Sequence, residues 1–126
     1  MTVTVRDIID GAYRKIGIVG ESEPMTADQA ALGLTAYNAM LHGWKLQGID
    51  VEHVDATLDE PFGLAPQFRN GTIFLLAREL APDFLVQPTF NADDFLRGIQ
   101  AAYSKVTELE TPLTLRTLPS LRRWFA

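Results

Sequence analysis

The chain has 126 residues, of which 47% are hydrophobic and 21% are charged, a composition typical of one globular domain. It contains no cysteine, which excludes disulfide bonds and thiolate metal sites. The formal net charge of -5 hides an asymmetry. Residues 111–126 carry three arginines and no acid, whereas residues 1–110 carry eight basic and sixteen acidic groups, a net charge of -8. A body this acidic argues against a function that requires a broad phosphate-binding surface.

The amino-terminal sequence does not resemble a secretion signal. The stretch "MTVTVRDIIDG" carries Asp7 and Asp10 where the apolar part of a signal peptide would lie. The strongest apolar run, "TIFLLA" at 72–77, is far shorter than the roughly 20 residues that span a bilayer. These features predict a soluble protein with no membrane partner.

The first helix is predicted over 5–16. Thr4 is a suitable N-cap, and Asp7 follows three residues later, where an acid favours the helix dipole. Apolar residues then recur at helical spacing until Gly17, a residue typical of helix ends. The breaker-rich residues 17–25 are expected to form a loop.

The second helix carries the clearest amphipathic pattern. Thr26 and Gln29 match a capping box, and Gly48 is the expected end. The predicted buried stripe comprises Ala30, Leu34, Tyr37, Leu41 and Trp44. The predicted polar face comprises Asp28, Thr35, Asn38, His42 and Lys45.

Residues 49–65, named here the arm, break the helical period. Apolar residues alternate with acids, as in Ile49 and Val51, which predicts a short strand pair or an extended, β-like segment. The arm contains five acids and no lysine or arginine: Asp50, Glu52, Asp55, Asp59 and Glu60.

Two more helices are predicted after the arm. Pro66 is well placed as the first residue of a third helix that is apolar nearly all round its centre and that Pro82 ends. Such a helix belongs in the middle of a bundle. Asn91 is the expected cap of a fourth helix, whose pattern stops after Glu110. Its predicted inward face comprises Phe95, Ile99, Ala102, Tyr103 and Val106.

The predicted fold class is therefore all-α. Residues 1–110 are expected to form roughly a four-helix bundle with a short β-like arm after the second helix, and residues 111–126 an extended C-terminal tail. The expected core includes Ile9, Leu34, Leu41, Trp44, Leu76 and Ile99.

No catalytic, cofactor or metal site is predicted, and the chain is not expected to be an enzyme. His42 lies on the polar face of the second helix and His53 in the acidic arm, neither in a known catalytic pattern. The simpler interpretation is that both histidines are solvated or lie at an interface, although a triad of distant residues stays open. The arm invites a hard-cation hypothesis, but it lacks the D-x-D-x-D-G spacing, so a solvated acidic arm is favoured.

The tail combines arginines with large apolar residues beyond the last helix. Trp, Phe and Arg are typical interface anchors, and Pro112 and Pro119 prevent a continuous helix. We expect the tail to be a docking segment that binds another chain, either the portal or a neighbouring subunit. The predicted partner-binding residues are Arg116, Leu118, Leu121, Arg122, Arg123, Trp124 and Phe125.

Three blocks of the sequence resemble a known family. They are "AYRKIGIVGES" (12–22), "NAMLHGWKLQGI" (38–49) and "LAPQFRNGTIFLLARELAPDF" (64–84). In this order they resemble the head-completion proteins, or tail accessory factors, of short-tailed phages and related head-to-tail connectors. The sequence departs from that pattern at Pro88 and Asn91, where such proteins often have a more continuous helix.

The resemblance implies a structural protein of the virion, located at the head-tail junction and in the host cytoplasm during assembly. Its implied partners are the portal protein, a tail component such as the nozzle or tail tube, and other copies of itself in a ring, typically of twelve. Double-stranded DNA would pass through the ring without specific binding.

Two other classes of function compete with this one. A small helical DNA-binding or packaging factor would need a basic recognition helix, and the second helix offers only Lys45. A hydrolase of cell-wall polymer would need two carboxylates in a cleft, for which Glu21 and Glu23 are the nearest candidates.

Overall fold

A computed structural model describes residues 2–20 and 22–104. All regular secondary structure in these ranges is helical. The all-α prediction is confirmed. No helix in these ranges is both long and apolar enough to cross a membrane. The four α-helices are α1 (Val5–Lys15), α2 (Ala27–Gly43), α3 (Arg69–Leu80) and α4 (Asp93–Tyr103). Short 3₁₀ turns follow α2 (Trp44–Gln47), precede α3 (Pro66–Phe68) and follow α3 (Ala81–Phe84).

Both predicted amino-terminal caps of α1 and α2 are confirmed. The Thr4 side chain accepts from the Asp7 amide, and the Asp7 carboxylate accepts from the Thr4 amide at 3.0 Å. Thr26 and Gln29 make the same reciprocal pair at the start of α2. These bonds satisfy amide groups that a helix leaves without a partner. Gly17 has a φ of 77°, the left-handed conformation that stops α1.

α3 carries buried residues along most of its length, as its apolar sequence predicts. α1, α2 and α3 contact one another, and α4 packs mainly on α3. Leu75, Leu76 and Leu80 are all buried. Pro66 begins the 3₁₀ turn that leads into α3, and Pro82 lies in the turn that ends it. Five of the six predicted core residues are at most 2% exposed: Ile9, Leu41, Trp44, Leu76 and Ile99.

The sixth predicted core residue, Leu34, packs against the core but is not fully buried, and its neighbour Gly33 makes the close contact with α1. Leu34 is half-buried, whereas Gly33 is buried. A Cβ atom on Gly33 would lie 2.3 Å from Cγ2 of Ile9, so only glycine permits this close approach of the two helices. A pattern read from side-chain hydrophobicity misses such a position, because glycine contributes no apolar side chain.

Of the two forms predicted for the arm, the strand pair is not found in the described residues. The β-type contacts of the arm there are two isolated bridges, of Ile49 with Ser104 and of Pro61 with Thr4. Instead, the arm caps the first turn of α1: the Val5 amide donates to the Glu60 carbonyl and the Arg6 amide to the Leu58 carbonyl, each at 2.9 Å. The free amides at a helix start need such acceptors. The arm therefore pairs with a helix end and not with a second strand.

α4 begins one residue later than predicted. Ala92, and not Asn91, occupies the N-cap position, and α4 has no side-chain cap bond. The Asn91 carboxamide still accepts from the Asp93 amide at 2.9 Å, a local turn that competes with a true cap.

The inward face and end of α4 also differ from the prediction. Ala102 is exposed. The helix ends at Tyr103, before the predicted boundary, because Ser104 is extended and pairs with Ile49 of the arm. Val106, the rest of the predicted helix and the whole predicted tail lie outside the described residues.

Candidate functional site

Asn38, on the predicted polar face of α2, fastens the middle of the arm to the helix. Its side-chain Nδ2 donates to the Ala56 carbonyl at 3.2 Å, and its Oδ1 accepts from the Ala56 amide at 2.9 Å. The carboxamide thus satisfies both polar groups of one arm residue. Around Asn38, this face of α2 is therefore covered by the arm, whereas Asp28, Thr35 and Lys45 of the same face are exposed.

Beside this attachment, His42, His53 and Asp55 come together in what we name the histidine cluster. His42 Nε2 lies 2.7 Å from Asp55 Oδ1, and the two imidazole centroids are 4.8 Å apart. One nitrogen of each histidine and one Asp55 oxygen all lie within 4.8 Å of one another. His42 is exposed, in line with the sequence, whereas His53 is half-buried.

His53 is held from two sides. Its Nε2 lies 2.8 Å from Asn38 Oδ1, and its ring meets the Tyr37 ring edge-on at 5.9 Å. Burial lowers the pKa of His53, the nearby His42 lowers it further, and the carboxylates of the arm oppose the shift. This lowered pKa favours the neutral form of His53, whose imidazole offers a lone pair.

A cavity of about 300 Å³ opens beside the cluster, between α2 and the arm. Tyr37, Glu52, His53, Glu60 and Tyr103 are among its polar lining residues. Burial and the nearby Glu60 carboxylate raise the pKa of Tyr37 to about 12, so the phenol stays protonated. Glu52 has a φ of 53°, which is uncommon for a residue other than glycine.

The cluster has the donor set of a metal site. His42 Nε2 faces a carboxylate oxygen of Asp55, and His53 Nε2 faces the side-chain oxygen of Asn38. Two imidazoles and a carboxylate are common ligands of divalent transition metals.

The sequence-predicted site residues lie elsewhere in the chain. All seven predicted partner-binding residues, from Arg116 to Phe125, lie outside the described residues. The sequence did carry a signal for the cluster: Asn38 and His42 are four residues apart on α2, which places them on one face. The signal was incomplete, because nothing in the sequence pairs that face with His53 and Asp55.

Comparisons with known proteins add no relative. No family model matches the chain, and a search of the curated proteins finds no match.

Proposed function

We propose that this protein is a structural head-to-tail adaptor of a phage particle. Copies of the chain assemble as a ring beneath the portal, extend the DNA channel and offer a platform for the next tail component. The carboxy-terminal tail, residues 111–126, docks on the partner, and residues 1–110 form the helical body of each copy.

The observation that carries the proposal is how the three family-like blocks fit together. Residues 12–22 cover the end of α1 and its turn, residues 38–49 the end of α2 and its 3₁₀ extension, and residues 64–84 cover α3 with its flanking turns. Each block contributes buried residues to the same core cluster, for example Tyr13, Trp44 and Leu76. This shared core supports the resemblance.

Arg14 of the first block holds the turn that follows α1. The Arg14 guanidinium binds the Asp10 carboxylate at 2.8 Å, and it donates to the carbonyls of Gly20 and Glu23. The turn after α1 is therefore held against the helix. A fixed turn suits a rigid body that repeats around a ring.

The charge distribution supports a conduit more than a DNA-binding protein. Four arginines of the described residues are each ion-paired to an aspartate: Arg6, Arg14, Arg78 and Arg97. Paired cations leave less positive potential for phosphates. An acidic lining would let DNA slide, because it offers no strong grip on the backbone.

The proposal is tested by sedimentation of the full chain alone, of the portal protein from the same genome alone, and of their mixture. No helix pattern shows a second wide apolar stripe of the kind an obligate interface needs, so we expect the free protein to be a monomer or weak oligomer. In the mixture it should sediment with the portal. A stable ring of the free protein, or a mixture whose components sediment apart, would refute this mode of assembly.

Duplex DNA provides the test against the alternative function. We expect at most a weak, salt-sensitive contact through the tail arginines, because the body carries a net charge of -8. Tight duplex binding that survives roughly 0.2 M salt would favour a packaging or DNA-binding factor.

A further inference from the structure

The histidine cluster brings two nitrogen donors and one oxygen donor from separate parts of the chain to one place. His42 comes from α2, and His53 and Asp55 come from the arm, with ligand atoms within 4.8 Å of one another. We propose that His42, His53 and Asp55 bind one divalent transition-metal ion of the zinc type. This inference goes beyond the adaptor function and does not depend on it.

The hydrogen bonds around His53 prepare it as a ligand. Asn38 is oriented by its two bonds to Ala56, so its Oδ1 is an acceptor. His53 Nε2 therefore carries the proton that it donates to Asn38, and the free lone pair of the neutral ring is on Nδ1. Metal-binding histidines usually donate their other N–H to an oxygen in this way, which fixes the tautomer and the ring.

The spacing needs only small movements of exposed groups to accept an ion. Zinc bonds of about 2.0–2.2 Å place tetrahedral ligand atoms about 3.3 Å apart. His42 Nε2 and Asp55 Oδ1, now at 2.7 Å, would separate slightly, and the ligand atoms of the three residues, which lie within 4.8 Å of one another, would draw around the ion. The His42 and Asp55 side chains are 51% and 77% exposed, which leaves them free to adjust.

The donor set also favours one class of metal. Imidazole suits zinc and its transition-metal neighbours, whereas magnesium and calcium prefer all-oxygen sites. Three protein ligands leave a coordination position for water or for a group from another molecule. The ion would tie the arm to α2, next to the existing attachment at Asn38.

The composition of the chain makes the test simple. The whole protein contains two histidines and no cysteine, so each nitrogen donor can be removed by one substitution. The experiment uses the full chain with any polyhistidine tag removed, and titrates Zn²⁺ by calorimetry near neutral pH. We expect one Zn²⁺ per chain and no comparable binding of Mg²⁺.

Three variants and a matched control locate the site. His42→Gln, His53→Gln and Asp55→Asn should each weaken zinc binding at least about tenfold, with unchanged helical circular dichroism. Asp28→Asn, which removes an exposed carboxylate at the far end of α2, should bind zinc as the parent chain does.

Several results would overturn the proposal. Absence of zinc binding by the parent chain would do so, as would binding that persists in His42→Gln or His53→Gln. Zinc-dependent dimers in sedimentation, with half an ion per chain, would show that two copies share the ligands, which contradicts a site within one chain.

Discussion

Tyr13 shows how one side chain joins two helices and a turn. It is fully buried, its hydroxyl donates to the Gln29 carbonyl at 2.9 Å, and its ring meets Phe84 edge-on at 5.5 Å. Burial, and to a lesser extent the Asp83 carboxylate, raises the pKa of the phenol. The residue therefore links α1 to the start of α2 and to the turn after α3.

Tyr13→Phe is expected to lower the free energy of unfolding by about 0.5–1.5 kcal/mol at neutral pH, because it removes one buried hydrogen bond. The pKa of the Tyr13 phenol is raised in the folded state. The stabilisation that the protonated phenol gives to the folded state is therefore complete below the unfolded pKa of 10.0. It is lost as the pH rises through the folded pKa. Urea unfolding at neutral and alkaline pH measures both effects. If parent and variant lose stability equally above that pH, Tyr13 does not carry this linkage.

The contact between α1 and α2 depends on Gly33. The added Cβ of Gly33→Ala would lie 2.3 Å from Ile9, so we expect a net loss of about 1–3 kcal/mol despite the better helix propensity of alanine. Gly98→Ala is the matched control, because a Cβ there meets nothing within 4 Å. That variant should be neutral or gain up to about 1 kcal/mol in urea unfolding. Equal effects of the two substitutions would show that α1 and α2 are not closely packed.

The central position of α3 is tested at Leu76. Leu76→Ala should cost about 2–5 kcal/mol in the free energy of unfolding, because it leaves a cavity at a fully buried position. Leu46→Ala serves as the control at a site that is 92% exposed, and should change stability by less than about 0.5 kcal/mol. A cost at Leu76 as small as that at Leu46 would contradict the placement of α3.

Element by element, the sequence predicted what local interactions decide. The capping pairs at Thr4 and Thr26 act over three residues, and both are found. The apolar centre of α3 is buried at Leu75, Leu76 and Ala77 and half-buried at Ile73 and Phe74. The contacts of the arm were not predicted, because its partners are distant: Asn38 and Ala56 are 18 residues apart, and the carbonyl of Glu60 meets the start of α1. The histidine cluster was missed for the same reason.

For the whole molecule, the adaptor proposal predicts separate roles for body and tail. Deleting residues 117–126 should leave the circular dichroism and melting of the helical body unchanged, because the buried side chains of α1 to α4 pack on one another. The same deletion should abolish assembly on the portal, since apolar anchors supply most of the energy of such contacts. The double substitution Trp124→Ala and Phe125→Ala in the full chain is the matched variant, and should weaken assembly without lowering the melting temperature.

Two outcomes would contradict this division of roles. Unfolding of the truncated chain would make the tail part of the core. Undiminished assembly of the truncated chain would show that the anchor lies in the helical body.

Electron microscopy of the full chain mixed with its portal tests the central claim most directly. We predict a ring of added density beneath the portal, coaxial with the DNA channel and absent from images of the portal alone. Its symmetry should be closed, because head-to-tail contacts of one chain form a ring only when the rotation between neighbouring copies closes. Portal particles without added density, at protein concentrations well above that of the portal, would contradict the adaptor proposal.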